Sequence, residues 1–333
     1  MGSKSGPAPL SRHSREGGNP VQINSSKASQ NPPVINNQES KIPPLVVIVG
    51  ETASGKTAAG IKIAQEIGGE IICADSRTVY KQMNIGTAKP TTEERKAVPH
   101  HLLDVVEPNE KFSAAEFKRL AEKCIQEIAE RGKIPIVVGG TGLYIDALLY
   151  NFQFKDKPDA AYRTQLLQMS DDELTTLLHT KNIDVSKLNT KNRRHVIRAI
   201  ERGGEVPSNT ELRKDTIILG LRLEREELRK RITARVEQMF EDGFLDEVKL
   251  LVDQYGWDVE AMSGIGYRVA REYFEGSASE QEVKQAFVQR DLSLAKRQRT
   301  WFKRNPHTLW FDRSDSLVLK AVEFSKTFNY NKS

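Results

Sequence analysis

An apolar run followed by a glycine-rich loop restricts the possible folds of this chain more than any other feature. The run covers residues 45–49, and apolar residues at helical spacing follow the loop at Ala59, Ile63 and Ile67. The loop has the spacing G-x-x-x-x-G-K-T and consists of Gly50, Glu51, Thr52, Ala53, Ser54, Gly55, Lys56 and Thr57. Strand, tight turn and helix therefore follow one another in the order of a phosphate-binding loop.

This loop has the chemistry to hold a di- or triphosphate. Its glycines let successive backbone N–H groups curl toward one point, and the helix N-terminus adds the positive end of its dipole. Lys56 brings a positive charge to the phosphates, and Thr57 offers a hydroxyl to a magnesium ion. The alternative interpretation is a glycine turn that only joins a strand to a helix. The loop therefore indicates that a di- or triphosphate compound binds, but it does not identify the reaction.

The pattern of apolar segments predicts an α/β fold with a P-loop NTPase-like parallel sheet flanked by helices. Further buried strands are expected at 70–74, 134–138, 216–221 and 309–311. Between these, polar helical stretches replace the alternation of strands and helices, and we interpret them as a helical insertion. They lie at 160–169, 171–179 and 192–201.

Ser113 and Glu116 predict a capping box at the start of a helix that reaches Arg131. A long amphipathic helix is expected after the strand at 216–221, with a buried side that runs from Leu228 to Phe244, and a glycine-rich turn is expected at 262–268. The helices near the C-terminus are rich in basic residues.

The chain of 333 residues divides into segments of different composition. Residues 1–41 form a leader that we expect to be disordered, because it has too few apolar residues to offset its ordering entropy. Residues 42–150 form the α/β core, completed by residues of about 215–235 and 305–313. The helical insertion covers 151–214, a helical region covers 236–304, and a tail covers 314–333.

Two polar segments follow predicted strands, where an open α/β sheet places its ligand contacts. Asp75 comes directly after the strand at 70–74, and its alternative role is a helix N-cap. Thr141 lies in a second glycine-rich turn, 139–142, where a phosphate-loop ATPase would usually carry an aspartate for magnesium. We expect this turn to be a second backbone cradle for phosphate oxygens, with a plain strand-to-helix turn as the alternative.

The charge pattern points to a polyanionic partner. The formal net charge is +5, and the helix predicted at 280–304 carries Lys296, Arg299 and Lys303 opposite an apolar stripe. A basic stripe of this kind suits a phosphate backbone, although a merely solvated face is the alternative. No apolar run reaches the roughly 18–20 residues of a membrane span. Cys73 and Cys124 lie in apolar patterns, which predicts reduced core residues of a cytoplasmic protein.

Two classes of enzyme fit these features. One is a small-molecule or nucleoside kinase, with ATP in the loop and the insertion as a lid. The other is a transferase that binds a diphosphate compound and acts on a nucleic acid. The basic terminal helix and the glycines in place of a magnesium-binding aspartate favour the transferase. A nucleotide-switched binding module is a third interpretation, and the lack of a guanine-selecting motif argues against it.

An ordered set of motifs from residue 45 to residue 311 resembles the bacterial tRNA dimethylallyltransferases, also called tRNA isopentenyltransferases. The motifs are G-E-T-A-S-G-K-T, A-D-S-R-T-V-Y-K-Q-M-N-I-G-T-A-K-P, V-P-H-H-L-L-D, R-G-K-I-P-I-V-V-G-G-T-G-L-Y, H-V-I-R-A-I-E, G-I-G-Y-R and L-A-K-R-Q-R-T-W-F-K-R. The phosphate loop alone is common to many families. The full set in this order is specific, and it covers nearly all of the chain outside the leader.

The resemblance implies transfer of a dimethylallyl group from dimethylallyl diphosphate to the exocyclic amine of an adenosine. That adenosine lies 3′-adjacent to the anticodon, in tRNAs that read codons beginning with U, and Mg²⁺ assists. Asp75 would be the general base. Thr141 and the phosphate loop would hold the diphosphate, and Thr57 would be the protein ligand to the metal. The implied partners are the anticodon stem-loop of tRNA and the diphosphate donor, with no membrane, and we expect a monomer.

The resemblance also implies which residues contact tRNA. Four segments and one separate arginine match the tRNA-contacting positions of the family. They are Asp75, Ser76, Arg77 and Thr78; Arg163; Arg194, His195, Val196, Ile197 and Arg198; Ser263, Gly264, Ile265, Gly266, Tyr267 and Arg268; and Lys296, Arg297, Gln298, Arg299, Thr300, Trp301, Phe302 and Lys303.

Two residues depart from the pattern of the family. Glu51 stands where proline is usual, and because its carboxylate would repel a bound diphosphate, we expect it to face solvent. His195 stands where arginine is frequent, which would weaken one contact with the nucleic-acid backbone or make it pH-dependent.

Overall fold

A six-stranded, fully parallel sheet forms the centre of the computed structural model, which describes residues 42–154, 160–186, 188–204 and 211–328. The predicted leader, residues 1–41, lies outside the described residues. The strands are β1 (Leu45–Gly50), β2 (Glu70–Ala74), β3 (His100–His101), β4 (Pro135–Gly139), β5 (Thr216–Leu221) and β6 (Thr308–Phe311). Their order is β3-β2-β4-β1-β5-β6, and every pair is parallel. The predicted α/β fold class is confirmed.

Helices cover both faces of this sheet. They are α1 (Lys56–Ile67), α2 (Thr92–Ala97), α3 (Ala114–Glu130), α4 (Gly142–Leu149), α5 (Ala160–Gln168), α6 (Asp171–Thr180), α7 (Arg193–Glu201), α8 (Arg225–Glu241), α9 (Phe244–Tyr255), α10 (Ile265–Phe274), α11 (Glu280–Phe302) and α12 (Ser314–Ser325). A short 3₁₀ helix, Glu260–Ser263, precedes α10. α1 and α12 pack on one face, and α3, α4 and α8 to α11 contribute to the core on the other.

Strand β1 is apolar throughout because it is buried on both sides. Val47 and Val49 point into one core, whereas Val46 and Ile48 point into the other. This continuous run is typical of a central parallel strand. Its central position places the loop that follows Gly50 at the middle of the carboxyl edge of the sheet.

The helical insertion has a small core of its own. Leu166 of α5, Leu174 and Leu178 of α6, and Val196 and Ile200 of α7 bury their side chains together. The N–H group of Arg213 donates to the carbonyl of Leu149 (2.8 Å), so the chain leaves and re-enters the sheet domain at neighbouring points.

Three local expectations differ from the structure. Residues 314–325 form α12, which packs on α1, although sequence analysis predicts only a tail there. The predicted glycine-rich turn at 262–268 ends at Gly264, after which α10 begins. The long helix expected after β5 is split into α8 and α9 at Gly243, whose φ of 91° lies in the left-handed region.

Candidate active site

The carboxyl edge of the sheet brings three loops together: residues 50–57 after β1, 75–78 after β2 and 139–142 after β4. The N–H group of Thr141 donates to the carbonyl of Ala74 (3.3 Å), and the N–H group of Ser76 donates to Thr141 Oγ1 (3.0 Å). The Thr141 hydroxyl therefore accepts a hydrogen bond and keeps its own hydrogen for a ligand. The two strand ends that sequence analysis singled out separately form one site.

The phosphate loop has a geometry suited to anions. Gly55, at the N-cap of α1, has a φ of 92°, and no side-chain cap is formed there among the described residues. The first N–H groups of α1 are thus open to a ligand. Lys56 Nζ donates to the carbonyl of Glu51 (3.2 Å). Desolvation lowers the pKa of Lys56 to about 8, while the charge of Asp75 opposes that shift.

Asp75 is held in a turn and does not begin a helix. Its Oδ1 accepts from the N–H group of Arg77 (2.8 Å), and the next helix starts at Thr92. The N-cap alternative is therefore wrong. Arg77 Nη1 donates to the carbonyl of Glu260 (3.0 Å), which ties this turn to the segment before α10. This hydrogen bond uses one of the two oxygens of the Asp75 carboxylate.

Helix α11 lines the phosphate loop from the opposite side. Gln298 joins the two glycine-rich loops, because its Oε1 accepts from the N–H group of Thr52 (2.7 Å) and its Nε2 donates to the carbonyl of Gly140 (3.1 Å). A Cβ at Gly140 would lie 2.3 Å from that Nε2 atom, so a side chain there would displace the amide of Gln298. Trp301 Nε1 donates to Asp146 of α4 (2.8 Å).

The expectation that Glu51 faces solvent is wrong. Glu51 is 1% exposed, and its carboxylate forms a two-pronged ion pair with Arg299. Arg299 was expected on the outer, basic side of α11, yet it lies at the edge of the buried stripe of Asp291, Ala295, Gln298 and Phe302. A residue one position after a buried one is about 100° around the helix, so a long side chain there can still turn inward.

Sequence reasoning missed Arg235 and Asp291. Arg235 of α8 donates to the hydroxyl of Thr52 (2.9 Å) and pairs with the buried carboxylate of Asp291. Burial raises the pKa of Asp291, and the charge of Arg235 opposes this. The sequence did contain one signal of this contact. Asp291 falls between Phe287 and Ala295 on the apolar stripe of α11, where a charged residue is rarely buried without a partner.

The residues predicted to contact tRNA differ in exposure. Those that are half-buried are Asp75, Ser76, Arg77, Ile265, Arg299 and Trp301. Those with exposed side chains are Arg194, His195, Arg198, Ser263, Arg268, Lys296, Arg297, Thr300 and Lys303. Those with buried positions are Thr78, Val196, Ile197, Gly264, Gly266, Tyr267, Gln298 and Phe302. Arg163 pairs with Glu201 inside the insertion (3.2 Å). The buried members of each motif support the fold at these surfaces.

Tyr267 shows what one of the buried members does. Its hydroxyl donates to Glu247 (2.7 Å), and the same carboxylate accepts from the N–H groups of Asn84, Ile85 and Gly86. Burial raises the pKa of Tyr267 well above its usual value. This network fixes the polar loop after residue 83 against α9 and α10.

The protein groups available to a metal are few. Among the described residues, no group of three or more His, Cys, Asp or Glu side chains could hold an ion. Mg²⁺ is often held by one or two protein oxygens, with water and substrate phosphates completing its shell. The Thr57 hydroxyl, on the first turn of α1, fits that mode of binding. No helix in the described ranges is long and apolar enough to cross a membrane.

The fold and this edge define a class: phosphate-loop proteins in which a second glycine-rich cradle follows the neighbouring strand. The chain belongs to the IPP transferase family, whose family model matches residues 78–305. It is therefore an enzyme that transfers a prenyl group.

Relatives across the family agree with this assignment. The tRNA dimethylallyltransferase of Geobacillus thermodenitrificans is 41% identical over 305 residues, covering 86% of this chain and 95% of the relative. That of Streptococcus pyogenes serotype M6 is 44% identical over 265 residues, covering 78% and 87%. These relatives do not favour the kinase interpretation.

Solved structures show the same architecture. A tRNA isopentenylpyrophosphate transferase from Bacillus halodurans superposes with a TM-score of 0.66 at 36% identity, covering 86% of this chain and 99% of that one. A eukaryotic dimethylallyltransferase acting on tRNA superposes with a TM-score of 0.72 at 28% identity, covering 81% and 74%.

Proposed function

We propose that this protein is a tRNA dimethylallyltransferase. It transfers the dimethylallyl group of dimethylallyl diphosphate to the exocyclic N6 amine of an adenosine and releases diphosphate. The adenosine is position 37, 3′-adjacent to the anticodon, in tRNAs that read codons beginning with U. The enzyme acts as a cytoplasmic monomer on the anticodon stem-loop.

The observation that carries this proposal is the pairing of two phosphate cradles with a carboxylate. The phosphate loop and the turn that holds Thr141 follow adjacent strands at the carboxyl edge of the sheet. The turn that holds Asp75 is hydrogen-bonded to Thr141. Strand β4 ends in Gly139 rather than in the magnesium-binding aspartate of a phosphate-loop ATPase. Such a site can bind a diphosphate as a leaving group without transferring a phosphoryl group.

Each group has a defined part in the reaction. The adenine amine forms a bond to the allylic carbon as the bond from that carbon to the diphosphate oxygen breaks. Asp75 accepts the amine proton. Lys56, Arg235, Thr141 and the N–H groups of the loop stabilise the charge that develops on the leaving diphosphate. The hydroxyl of Thr57 would hold Mg²⁺, which would supply further positive charge to the leaving group.

The nucleic acid approaches the site from the side on which α7, α10 and α11 expose their cations. An adenosine stacked in a loop must turn out before its amine can reach Asp75, and Ser76, Arg77 and Thr78 border that position. The exposed cations of α7, α10 and α11 offer contacts for the phosphate backbone.

The direct test is mass analysis of nucleosides from unmodified tRNA incubated with the protein, Mg²⁺ and dimethylallyl diphosphate. We expect dimethylallyl-adenosine only when the diphosphate donor is present. A parallel reaction with ATP alone is the control. Consumption of ATP against a small nucleoside, without the prenylated product, would contradict the proposal and support a kinase.

A further inference from the structure

Glu51 places a buried negative charge inside a loop built to hold a polyanion. It directly precedes Thr52, whose N–H and hydroxyl groups are held by Gln298 and Arg235. Its own carbonyl accepts from Lys56, the cation expected to meet the phosphates. A carboxylate in this position would repel a bound diphosphate unless its charge were cancelled.

Arg299 provides that cancellation. Its Nη2 donates to Glu51 Oε2 (2.9 Å) and to the carbonyl of Leu223 (2.9 Å), and its Nε contacts Glu51 Oε1. This bidentate geometry is typical of a guanidinium paired with a carboxylate. The hydrogen bond to Glu51 raises the pKa of Arg299, so the guanidinium keeps its positive charge.

The neighbouring arginine of the same helix behaves differently. Arg297 is exposed, whereas the side chain of Arg299 is one-third exposed and is turned toward the phosphate loop. The two arginines are only two positions apart, yet their side chains have different surroundings. Arg297 is available to a nucleic acid, and the guanidinium of Arg299 is already engaged by protein oxygens.

We propose that Arg299 belongs to the diphosphate site, where it positions Glu51 and neutralises it, and that it does not contact tRNA. This inference rests on the proposed function only in taking diphosphate as the ligand of the loop. Arg299 is a positioning residue, since it acts through Glu51. It is needed because this chain carries a carboxylate in its phosphate loop.

The test measures two affinities in four variants: Arg299→Met, Glu51→Gln, the double variant and Arg297→Met. Binding of inorganic diphosphate with Mg²⁺ is measured by calorimetry, and binding of unmodified tRNA is measured as a function of salt. We expect Arg299→Met to weaken diphosphate binding about tenfold or more, through the exposed carboxylate charge. The double variant should return to within about threefold of the wild type, because no charge is left to cancel.

The tRNA measurement separates the two arginines. Arg297→Met should lower the slope of log K against log salt by about 1, and Arg299→Met should leave it unchanged. If Arg299→Met does not fold, the comparison of Glu51→Gln with the double variant still decides. Glu51→Gln should bind diphosphate more tightly than the double variant, because it leaves the charge of Arg299 uncancelled beside the anion, and the two variants should have the same tRNA salt slope.

Two results would overturn the inference. One is diphosphate binding as weak in the double variant as in Arg299→Met, which would give Arg299 a direct role at the phosphates. The other is a lower salt slope in the double variant than in Glu51→Gln, which would return Arg299 to the tRNA surface. Absence of a prenylated product with wild-type protein would contradict the proposed function alone, because binding of inorganic diphosphate does not require prenyl transfer.

Discussion

The proposed role of Asp75 as the general base depends on contacts with two neighbouring loops. The turn after β2 uses one carboxylate oxygen to hold Arg77, and the hydroxyl of Thr141 fixes the next N–H group along the chain. A base that is held in this way loses little entropy when the substrate arrives. An asparagine at this position can keep the hydrogen bond to Arg77 while it removes the negative charge, so the two properties can be tested separately.

Asp75→Asn should reduce the turnover number by about 10²-fold or more, because the amide cannot accept the amine proton. Its oxygen still accepts from Arg77, so we expect the affinities for tRNA and for diphosphate to change less than about threefold. Single-turnover kinetics and equilibrium binding measure the two effects. Turnover near that of the wild type would remove Asp75 from the role of base.

Glu70, at the start of the strand that carries Asp75, shows how a buried carboxylate stabilises the sheet. It is hydrogen-bonded to Arg131 (2.7 Å), Lys133 (2.9 Å) and His101 (2.7 Å). Burial by itself raises the pKa of Glu70, but these hydrogen bonds outweigh it and hold the value at about 2, against 4.5 for an ordinary glutamate. Its charged form therefore stabilises the folded state above pH 4.5, and this contribution is lost as pH falls toward 2.

Glu70→Gln should lower the free energy of unfolding at neutral pH by about 1–2 kcal/mol, because solvent partly screens its interactions with the half-exposed Arg131 and Lys133. The difference from the wild type should shrink as the pH falls below about 4.5, since the wild-type carboxylate then becomes neutral as well. Urea unfolding at several pH values measures this difference in the free energy of unfolding. Glu107→Gln, in a half-exposed pair with Lys81, is the control and should leave stability nearly unchanged. A pH-independent difference would contradict this account.

Helix α11 has two different sides. On its inner side, Gln298 joins the phosphate loop to the loop after β4, and Arg299 pairs with Glu51 of the phosphate loop. Its outer side exposes Lys296, Arg297 and Lys303. The prediction of a basic helix opposite an apolar stripe was sound for the outer residues. It was wrong for Arg299, because a helical projection gives the angle of a residue and not the reach of its side chain.

Replacing Lys296 and Lys303 together by alanine should weaken tRNA binding and lower its salt slope by about 2, one for each lost phosphate contact. Diphosphate binding should remain as in the wild type, since both side chains are exposed. Lys320→Ala, on α12 at the opposite face of the sheet, is the matched control. An unchanged slope in the double variant would place these lysines on a merely solvated face.

The molecule as a whole combines a complete sheet domain with an inserted helical unit. β5 and β6 return to the sheet beside β1, although the insertion separates them from β1 to β4 in sequence. The hydrogen bond between Arg213 and Leu149 brings the ends of the insertion together. The separate core of α5 to α7 shows that these helices do not depend on the sheet for their burial.

Replacing residues 153–211 by a short glycine-serine linker should leave the sheet domain folded. We expect inorganic diphosphate to bind within about threefold of the wild type, because the phosphate loop and α11 are retained. Affinity for tRNA should fall, since the exposed cations of α7 are removed. Calorimetry measures the binding of diphosphate, and filter binding measures the binding of tRNA. Loss of diphosphate binding in a folded variant would show that the insertion supports the site.

The sequence by itself determined the parts whose signal is local. Strands such as Glu70–Ala74 and the capping box of Ser113 and Glu116 were predicted at their observed positions. The phosphate loop, the second glycine-rich turn and the class of fold also follow from short patterns, because glycine, capping residues and apolar periodicity act over a few residues. The ordered motifs were enough to indicate the family.

Only the tertiary structure decided which side chains meet across the site. Glu51 pairs with a residue 248 positions away, Gln298 reaches Thr52 across 246, and Arg235 reaches it across 183. No local pattern encodes such contacts, since they depend on how α8 and α11 dock on the sheet. A carboxylate that was expected in solvent thus became a buried, neutralised part of the phosphate loop, because an arginine from the last long helix was brought within reach.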